Sequence, residues 1–239
     1  MKNVCITSAL RTAVGSMGKS LKNVCADELG ASVIQKTVID SKIPEHEVDE
    51  IIMGQVLTGG SGQNPARQAA IKSGIPKEKP AYIVNQVCGS GIRSIVSGFQ
   101  TINSEDSKIV IAGGQESMSQ APHAIHLRDG KKLGDVELID TMIKDGLWDA
   151  FHGYHMGITA ENVAEKFQIT RAEQDKFALR SQEKALEAQK QNRFKKEIIN
   201  FKIKSKKAEI DFNKDEHPRE GINLDALTRL KPVFKKNGT

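Results

Sequence analysis

A cysteine between two local structural signals is the residue in this sequence best suited to covalent chemistry. Residues Tyr82 to Val87 are rich in β-branched and aromatic side chains, which predicts a short buried strand that begins after Pro80. After Gly91, apolar residues recur with helical spacing at positions 92, 95, 96, 99 and 102. The pattern therefore places Cys88 at a junction between a strand and the start of a helix.

The residues around Cys88 suit a nucleophile. Gly89 and Gly91 allow the backbone to turn sharply and let another group approach closely. At the start of a helix, free backbone N–H groups and the helix dipole favour the thiolate, which is the nucleophilic form of cysteine. The same N–H groups could stabilise an oxyanion on a thioester carbonyl. A buried structural cysteine is the alternative interpretation, and the local pattern leaves both open.

Spacing excludes two other motifs that place glycines at a strand-to-helix junction. The dinucleotide-binding fingerprint requires a glycine where Ser94 stands. The nucleophile elbow of the α/β-hydrolases requires a glycine two residues before Ser90, and that residue is Cys88.

Four segments resemble, in order along the chain, the motifs of the thiolases, which make or cleave a carbon–carbon bond between acyl-CoA molecules. They are GQNPARQA at 62–69, NQVCGSGIR at 85–93, AGGQESMS at 112–119 and GYHMGITAEN at 153–162. The resemblance runs from Met1 to Thr239 and is to the biosynthetic acetyl-CoA C-acetyltransferase branch. It implies condensation of two acetyl-CoA to acetoacetyl-CoA and CoA, and the reverse reaction, without a metal or redox cofactor.

The resemblance also implies roles for particular residues. Cys88 would be the acylated nucleophile, and its backbone N–H would supply part of an oxyanion hole. Five residues match positions that contact coenzyme A or the acyl group, with the arginine near the adenine and phosphate end: Leu147, His155, Met156, Arg219 and Ala226. Met156 is characteristic of the short-chain branch, whereas Ala226 stands where biosynthetic members often carry serine. By spacing alone, His155 and Met156 would be ordinary residues at a helix start.

The order of elements predicts a layered α/β domain with a central, mostly parallel sheet. Strand signals at 4–9, 50–57, 82–87 and 108–112 alternate with helical signals that start near Asp27, at Pro65 and after Gly91. From about Ser119 the pattern is mostly loop. Helical periodicity then returns at 160–167, a capping box at Thr170 starts a helix that runs to about residue 192, and two short strands follow at 198–203 and 208–212.

The resemblance divides the chain into two thiolase domains. Residues 1–118 would form the N-terminal α/β domain with the nucleophile, and residues 119–239 would form an inserted α+β loop domain that binds CoA and makes tetramer contacts. Thiolases continue into a second α/β half that supplies an activating histidine and a second, basic cysteine. Neither motif occurs before Thr239. We therefore expect a truncated and catalytically incomplete piece, and a homo-oligomer, dimer or tetramer, for the full-length protein.

Two other classes of function remain open. One is a cysteine hydrolase in which Cys88 acts with one of the six histidines: His46, His123, His126, His152, His155 or His217. The other is a non-catalytic module that binds CoA or serves assembly.

Composition limits the partners and the compartment. The net charge is +5, and residues 193–239 carry 13 Lys and Arg against 7 Asp and Glu, which suits either a polyanion such as CoA or a solvated lysine-rich face. Few aromatics in that segment argue against nucleic acid. Cys5, Cys25 and Cys88 are widely spaced, which argues against a zinc site or disulfide framework. Without a signal peptide or a membrane-length apolar run, a cytoplasmic protein with no membrane contact is expected.

Overall fold

The structure, a computed structural model, describes residues 3–204 and 208–239. The described residues form two compact units. The first contains those of Met1–Gly146 and Glu197–Asn213, and the second contains Leu147–Lys196 and Lys214–Thr239. These bounds differ from the division after residue 118, because residues 119–146 and 197–213 pack with the first unit. The division into family domains at that point stays a prediction.

Helices and strands alternate through most of the first unit. The helices of the chain are α1 (Ala26–Ser41), α2 (Pro65–Lys72), α3 (Ser90–Asn103), α4 (Met156–Phe167), α5 (Arg171–Lys190) and α6 (Leu224–Thr228). The strands are β1 (Glu50–Gly54), β2 (Ala81–Val84), β3 (Val110–Gly114), β4 (His123–Ala124), β5 (Ile139–Asp140), β6 (Trp148–Asp149), β7 (Tyr154–His155), β8 (Phe201–Lys204) and β9 (Glu209–Phe212). Single helical turns lie at Glu45–Glu47, Met118–Gln120 and Met142–Leu147.

A parallel three-stranded sheet in the order β2-β1-β3 forms the centre of the first unit. Ile51 lies opposite Ala81 on one side and Ile111 on the other. Ile51 and Met53 point into a core with residues of α1 and α2. Because successive side chains of a strand point to opposite faces, Gly54 belongs to the other face, where α3 packs. The predicted α/β class with a central parallel sheet is confirmed.

Local signals explain where α2 begins and ends. Pro65 starts α2, where its missing N–H costs nothing, and the Asn64 side chain accepts the Arg67 N–H at 3.1 Å. Gly74 follows α2 with a φ of +93°, a conformation that favours glycine. α1 begins at Ala26 and buries Leu29, as its periodicity predicts.

The predicted strand at residues 4–9 is wrong. The structure assigns no strand there, and the Ile6 side chain is 76% exposed. A strand needs a neighbour for its backbone hydrogen bonds, and the first pairing in this region is the isolated bridge between Arg11 and Ile198. The hairpin β8–β9 confirms the strands predicted after residue 197, and its Phe201 and Phe212 pack in a second small core beside α1.

The second unit is mostly helical. Thr170 and Glu173 form the predicted capping box at the start of α5. The backbone N–H and hydroxyl of Thr170 donate to Glu173, which lowers the pKa of that carboxyl. The Arg171 guanidinium donates to the Leu227 and Leu230 carbonyls at 2.7 and 2.9 Å and so holds α6 on α5.

Across the described ranges, 3–204 and 208–239, none of the helices combines the length and the apolar composition that crossing a bilayer requires.

Candidate active site

Cys88 lies in a tight turn between β2 and α3, as the sequence predicts. Its thiol is exposed and forms no disulfide. The turn is held by hydrogen bonds from Gly89 N–H to the Gln86 carbonyl at 3.0 Å and from Ser90 N–H to the Val87 carbonyl at 3.1 Å. The Ser90 hydroxyl adds two more, because it accepts the Gln86 N–H at 2.9 Å and donates to the Val87 carbonyl at 2.6 Å.

Val87, and not Gly89, has the unusual backbone conformation in this turn. Val87 has a φ of +49°, which is rare for a β-branched residue, whereas Gly89 has a φ of −85°. Local strain of this kind is retained only where the surroundings impose it, and it clusters at functional sites. The conformational freedom expected of Gly89 is therefore not used here, and the strained residue is the one directly before Cys88.

Small residues bring the start of α3 close to the sheet. Ser90, Ser94 and Gly98 are the buried residues of this helix. A Cβ on Gly54 would lie 2.6 Å from the Gly91 nitrogen, so only glycine allows this approach. The Ser94 hydroxyl lies 2.7 Å from the Gly91 carbonyl and from the Gly113 carbonyl, and so ties the helix to β3.

The apolar stripe predicted on α3 faces away from the sheet. Four of its side chains have exposed fractions between 38% and 72%: Ile92, Ile95, Val96 and Phe99. The helix itself is confirmed, although it begins at Ser90, two residues before the first residue of its apolar periodicity.

A cavity of about 290 Å³ opens beside Cys88. Three segments line it: residues 54–56 at the end of β1, residues 114–116 at the end of β3, and residues 87, 88, 90 and 91 around the start of α3. The carboxyl edge of a parallel sheet is where such α/β domains place ligands. The geometry therefore puts an exposed thiol, a helix start and a concave surface at one point.

Glu116 brings a carboxylate into this cavity. Its two oxygens accept the Val56 N–H at 2.8 Å and the Leu57 N–H at 3.2 Å. Burial raises the pKa of Glu116, and these two hydrogen bonds offset part of that rise. Glu116 lies in the motif at 112–119, which by itself assigns this residue no role. A carboxylate two residues after a strand that ends in two glycines was the signal for it.

Three of the predicted CoA contacts lie close together in the second unit. Leu147 directly precedes Trp148, which pairs with His155 across the β6–β7 hairpin. The His155 Nδ1 accepts the Gly157 N–H at 3.0 Å and so caps α4, whose first residue is Met156.

The His155 ring also stacks on Phe234, with 4.8 Å between ring centroids. A Cβ on Gly157 would collide with the Phe234 ring, so the glycine makes room for this stack. Phe234 is a neighbour of the predicted site that sequence reasoning did not select. In the sequence, the glycine two residues after His155 was the available sign that another group packs closely here.

The other two predicted contacts lie on segments that pack against α5. The Arg219 N–H donates to the Gln182 side chain at 2.8 Å, and the Arg219 side chain is exposed. Ala226 lies within α6, where its N–H donates to Asn223 at 2.9 Å. Cys88 belongs to the first unit and the five predicted contacts belong to the second. Their assembly into one site stays a prediction.

Within the first unit, the hydrolase alternative finds no support. No histidine is among the residues that line the Cys88 cavity. His46 precedes β1 and therefore lies at the amino end of a strand whose carboxyl end forms the cavity. Among the described residues, no group of three or more His, Cys, Asp or Glu side chains is arranged to hold a metal ion.

Known proteins match this chain along its whole length. A family model described as "Thiolase, N-terminal domain" matches residues 4–239. An acetyl-CoA acetyltransferase of Rhizobium meliloti is 55% identical over 237 residues, which are 99% of this chain and 60% of that protein. The rat protein "Acetyl-CoA acetyltransferase, cytosolic" is 49% identical over 99% of this chain and 59% of its own length.

The fold agrees with these matches. The crystal structure of the Bacillus anthracis acetyl-CoA acetyltransferase superimposes with a TM-score of 0.94 at 40% identity, and the match covers 98% of this chain and 59% of that one. The chain thus spans about 60% of the length of the curated relatives that it matches. With a matching family model, relatives near 50% identity and the same fold, the chain belongs to the thiolase family.

Proposed function

We propose that this chain serves an acetyl-CoA C-acetyltransferase, in which Cys88 accepts the acyl group from coenzyme A thioesters. The reaction of the whole enzyme would be the reversible condensation of two acetyl-CoA to acetoacetyl-CoA and CoA. The observation that carries the proposal is the exposed Cys88 thiol, which lies at the start of α3 beside a cavity at the carboxyl edge of the sheet. The names of the Rhizobium meliloti and rat relatives, both acetyl-CoA acetyltransferases, support it.

The first step is a thioester exchange. The Cys88 sulfur forms a bond to the acetyl carbonyl carbon, the bond between that carbon and the CoA sulfur breaks, and the thiol proton ends on the CoA sulfur. The products are acetyl-Cys88 and CoA, so no oxidant, reductant or metal is consumed. The backbone N–H of Cys88, just before α3, would stabilise the oxyanion as the carbonyl is attacked.

The second unit would supply the contacts with coenzyme A. His155 and Met156 at the start of α4, together with Leu147, would line the path of the pantetheine arm and acyl group. The exposed Arg219 guanidinium would pair with phosphate near the adenine end, while Ala226 would contribute backbone contact only.

For residues 1–239 alone, we propose that Cys88 accepts the acyl group but that the complete thiolase reaction is not rapid. The resemblance assigns the activating histidine and the basic cysteine to motifs that this sequence does not contain. Because general acid–base catalysis contributes about 10²–10⁴-fold, thiolysis of acetoacetyl-CoA by these residues should stay near background. Thiolysis at a rate typical of the family would contradict this part of the proposal.

The deciding experiment is incubation of the purified chain with acetyl-CoA, followed by peptide mass spectrometry. We expect a gain of one acetyl group on the peptide that contains Cys88. Cys88→Ser should abolish this thioester, and Cys25→Ser is the matched control, because Cys25 is also an exposed thiol directly before a helix. CoA binding without any adduct on Cys88 would instead indicate a non-catalytic binding module.

Assembly and compartment form the remaining part of the proposal. We propose a homo-oligomer, dimer or tetramer, in the full-length protein, which sedimentation would measure. The proposed compartment is the cytoplasm, in keeping with three free cysteines, and cell fractionation would test it.

A further inference from the structure

The two residues after β3 hold the segment that follows β1. The Gln115 N–H donates to the Gly54 carbonyl at 2.9 Å, and its side chain donates to the Gln55 amide oxygen at 2.9 Å. Gln55 in turn donates to the Leu57 carbonyl at 2.9 Å. Gln55 and Gln115 are both buried, so these bonds are shielded from water.

Glu116 completes this connection with charge-assisted bonds. The Gln55 N–H still donates to the Val84 carbonyl of β2 at 3.2 Å, but the N–H groups of Val56 and Leu57 bond to the two Glu116 oxygens. Residues that are 59 and 60 positions apart in sequence are thereby fixed side by side. Hydrogen bonds to an ionised acceptor are stronger than neutral ones.

The fixed segment forms part of the cavity beside Cys88. Gln55 and Val56 contribute to its lining, as do Gln115 and Glu116 themselves. Burial raises the pKa of Glu116, so burying this carboxylate has an energetic cost. A buried polar group of this kind needs a structural or functional explanation. One of its hydrogen bonds holds Val56, which lines the cavity, and the other holds Leu57 directly after it, so both fix the segment that forms this wall.

We propose that Glu116 is a positioning residue for acyl transfer at Cys88, fixing the wall of the cavity by accepting the Val56 and Leu57 N–H groups. The inference rests on the proposed function, since the wall matters only if an acyl group occupies the cavity. It gives the motif at 112–119 a physical role in the site. Glu116 would act through the backbone of residues 55–57 and would itself exchange no proton with the substrate.

The test compares Glu116→Gln and Glu116→Ala in the 239-residue chain. Peptide mass spectrometry follows two rates at Cys88, S-acetylation by acetyl-CoA and alkylation by iodoacetamide. Glutamine keeps one acceptor oxygen and alanine keeps none, so we expect S-acetylation to slow roughly tenfold in the glutamine variant and further in the alanine variant. Alkylation of Cys25 in the same molecules reports general loosening and should stay within about twofold of the unchanged chain. Glu78→Gln, at an exposed carboxylate of the same unit, should leave both Cys88 rates unchanged.

Each outcome separates this inference from the proposed function. S-acetylation at the original rate in the glutamine variant would overturn the inference and leave the proposed function standing. Equal slowing at Cys88 and Cys25 would also overturn it, because that result would show general loosening. If the alanine variant does not fold, the glutamine variant decides alone.

A chain that is not acetylated even without substitution would contradict the proposed function instead. The ratio of the alkylation rates at Cys88 and Cys25 then tests the wall. A ratio that falls in Glu116→Gln supports the inference, and an unchanged ratio overturns it.

Discussion

Val87 holds the Cys88 loop in a backbone conformation that its own side chain disfavours. A β-branched residue with positive φ is strained, and here the strain falls directly before the proposed nucleophile. Two hydrogen bonds impose it: the Ser90 hydroxyl donates to the Val87 carbonyl, and the Asn85 side chain accepts the Val87 N–H at 2.9 Å. The hydrogen-bond partners of Val87, and not its own backbone preference, therefore determine the shape of this loop.

Replacing Val87 by glycine should relieve this strain. Glycine adopts positive φ without a steric penalty, and the Val87 side chain is 47% exposed, so little burial is lost. We expect the free energy of unfolding to rise by about 1 kcal/mol, as urea denaturation would measure. Alkylation of Cys88 should slow, because the loop would sample more conformations.

Val136→Gly is the matched control for this prediction. Val136 is 43% exposed, and it is not among the residues with positive φ. Glycine there should leave stability unchanged or lower it. An equal effect at positions 87 and 136 would show that the strain at Val87 contributes nothing measurable.

At the scale of elements, the position of Cys88 depends on how closely α3 approaches β1. Gly54 permits this approach, because a Cβ at that position would overlap the backbone of Ser90 and Gly91. Gly54→Ala should therefore displace the start of α3 and lower the free energy of unfolding by about 2 kcal/mol or more. Thermal unfolding and the S-acetylation rate at Cys88 would measure both effects.

The neighbouring strand offers a matched control for Gly54. Gly113 lies in β3 opposite Met53, the residue before Gly54, and its nearest possible Cβ contact is the Met53 sulfur at 3.9 Å. Gly113→Ala should be tolerated. If both alanine variants were equally stable, the close approach of α3 would not be what determines the glycine at position 54.

The amino ends of the same strands carry a pH-dependent contact. The Asp49 carboxylate accepts the N–H groups of Lys108 at 2.6 Å and Ile109 at 3.0 Å, and these bonds lower its pKa. A pKa that is lower in the folded chain than in the unfolded chain stabilises the fold above the unfolded value. That stabilisation is lost as the pH falls through the folded value.

Asp49→Asn should accordingly lower the free energy of unfolding by about 1 kcal/mol at pH 7, because the amide is a weaker acceptor. The difference from the unchanged chain should shrink below the usual aspartate pKa of about 3.9. Urea denaturation across pH 3 to 7 would measure it, with the exposed Asp135→Asn as a control. A difference that does not vary with pH would contradict this explanation.

Short-range patterns predicted many of the elements, and longer-range contacts explain what they missed. The Thr170 capping box and the Pro65 helix start depend on neighbours within a few residues, so the sequence displays them directly. The buried side of α3 consists of Ser90, Ser94 and Gly98. A search for apolar periodicity misses this side because none of the three has a large apolar side chain. The bonds of Glu116 and the missing strand at 4–9 depend on partners far away in sequence, which no local pattern contains.

At the scale of the whole molecule, the chain combines a well-packed sheet with an exposed apolar helix face. The first unit buries its core between the sheet and the helices α1 and α2. The α3 stripe, Ile92, Ile95, Val96 and Phe99, remains open among the described residues. Contiguous apolar surface of this kind promotes association and binds apolar dyes.

Ile92→Gln combined with Phe99→Gln should therefore reduce both effects without unfolding the chain. These side chains point away from the sheet, and the buried face of α3 is left intact. We expect dye fluorescence to fall by about half or more and the monomer fraction in sedimentation to rise. Leu133→Gln is the control, since that side chain is 89% exposed but lies outside the stripe. If the control had the same effect as the double variant, general surface hydrophobicity, and not the α3 stripe, would account for the association.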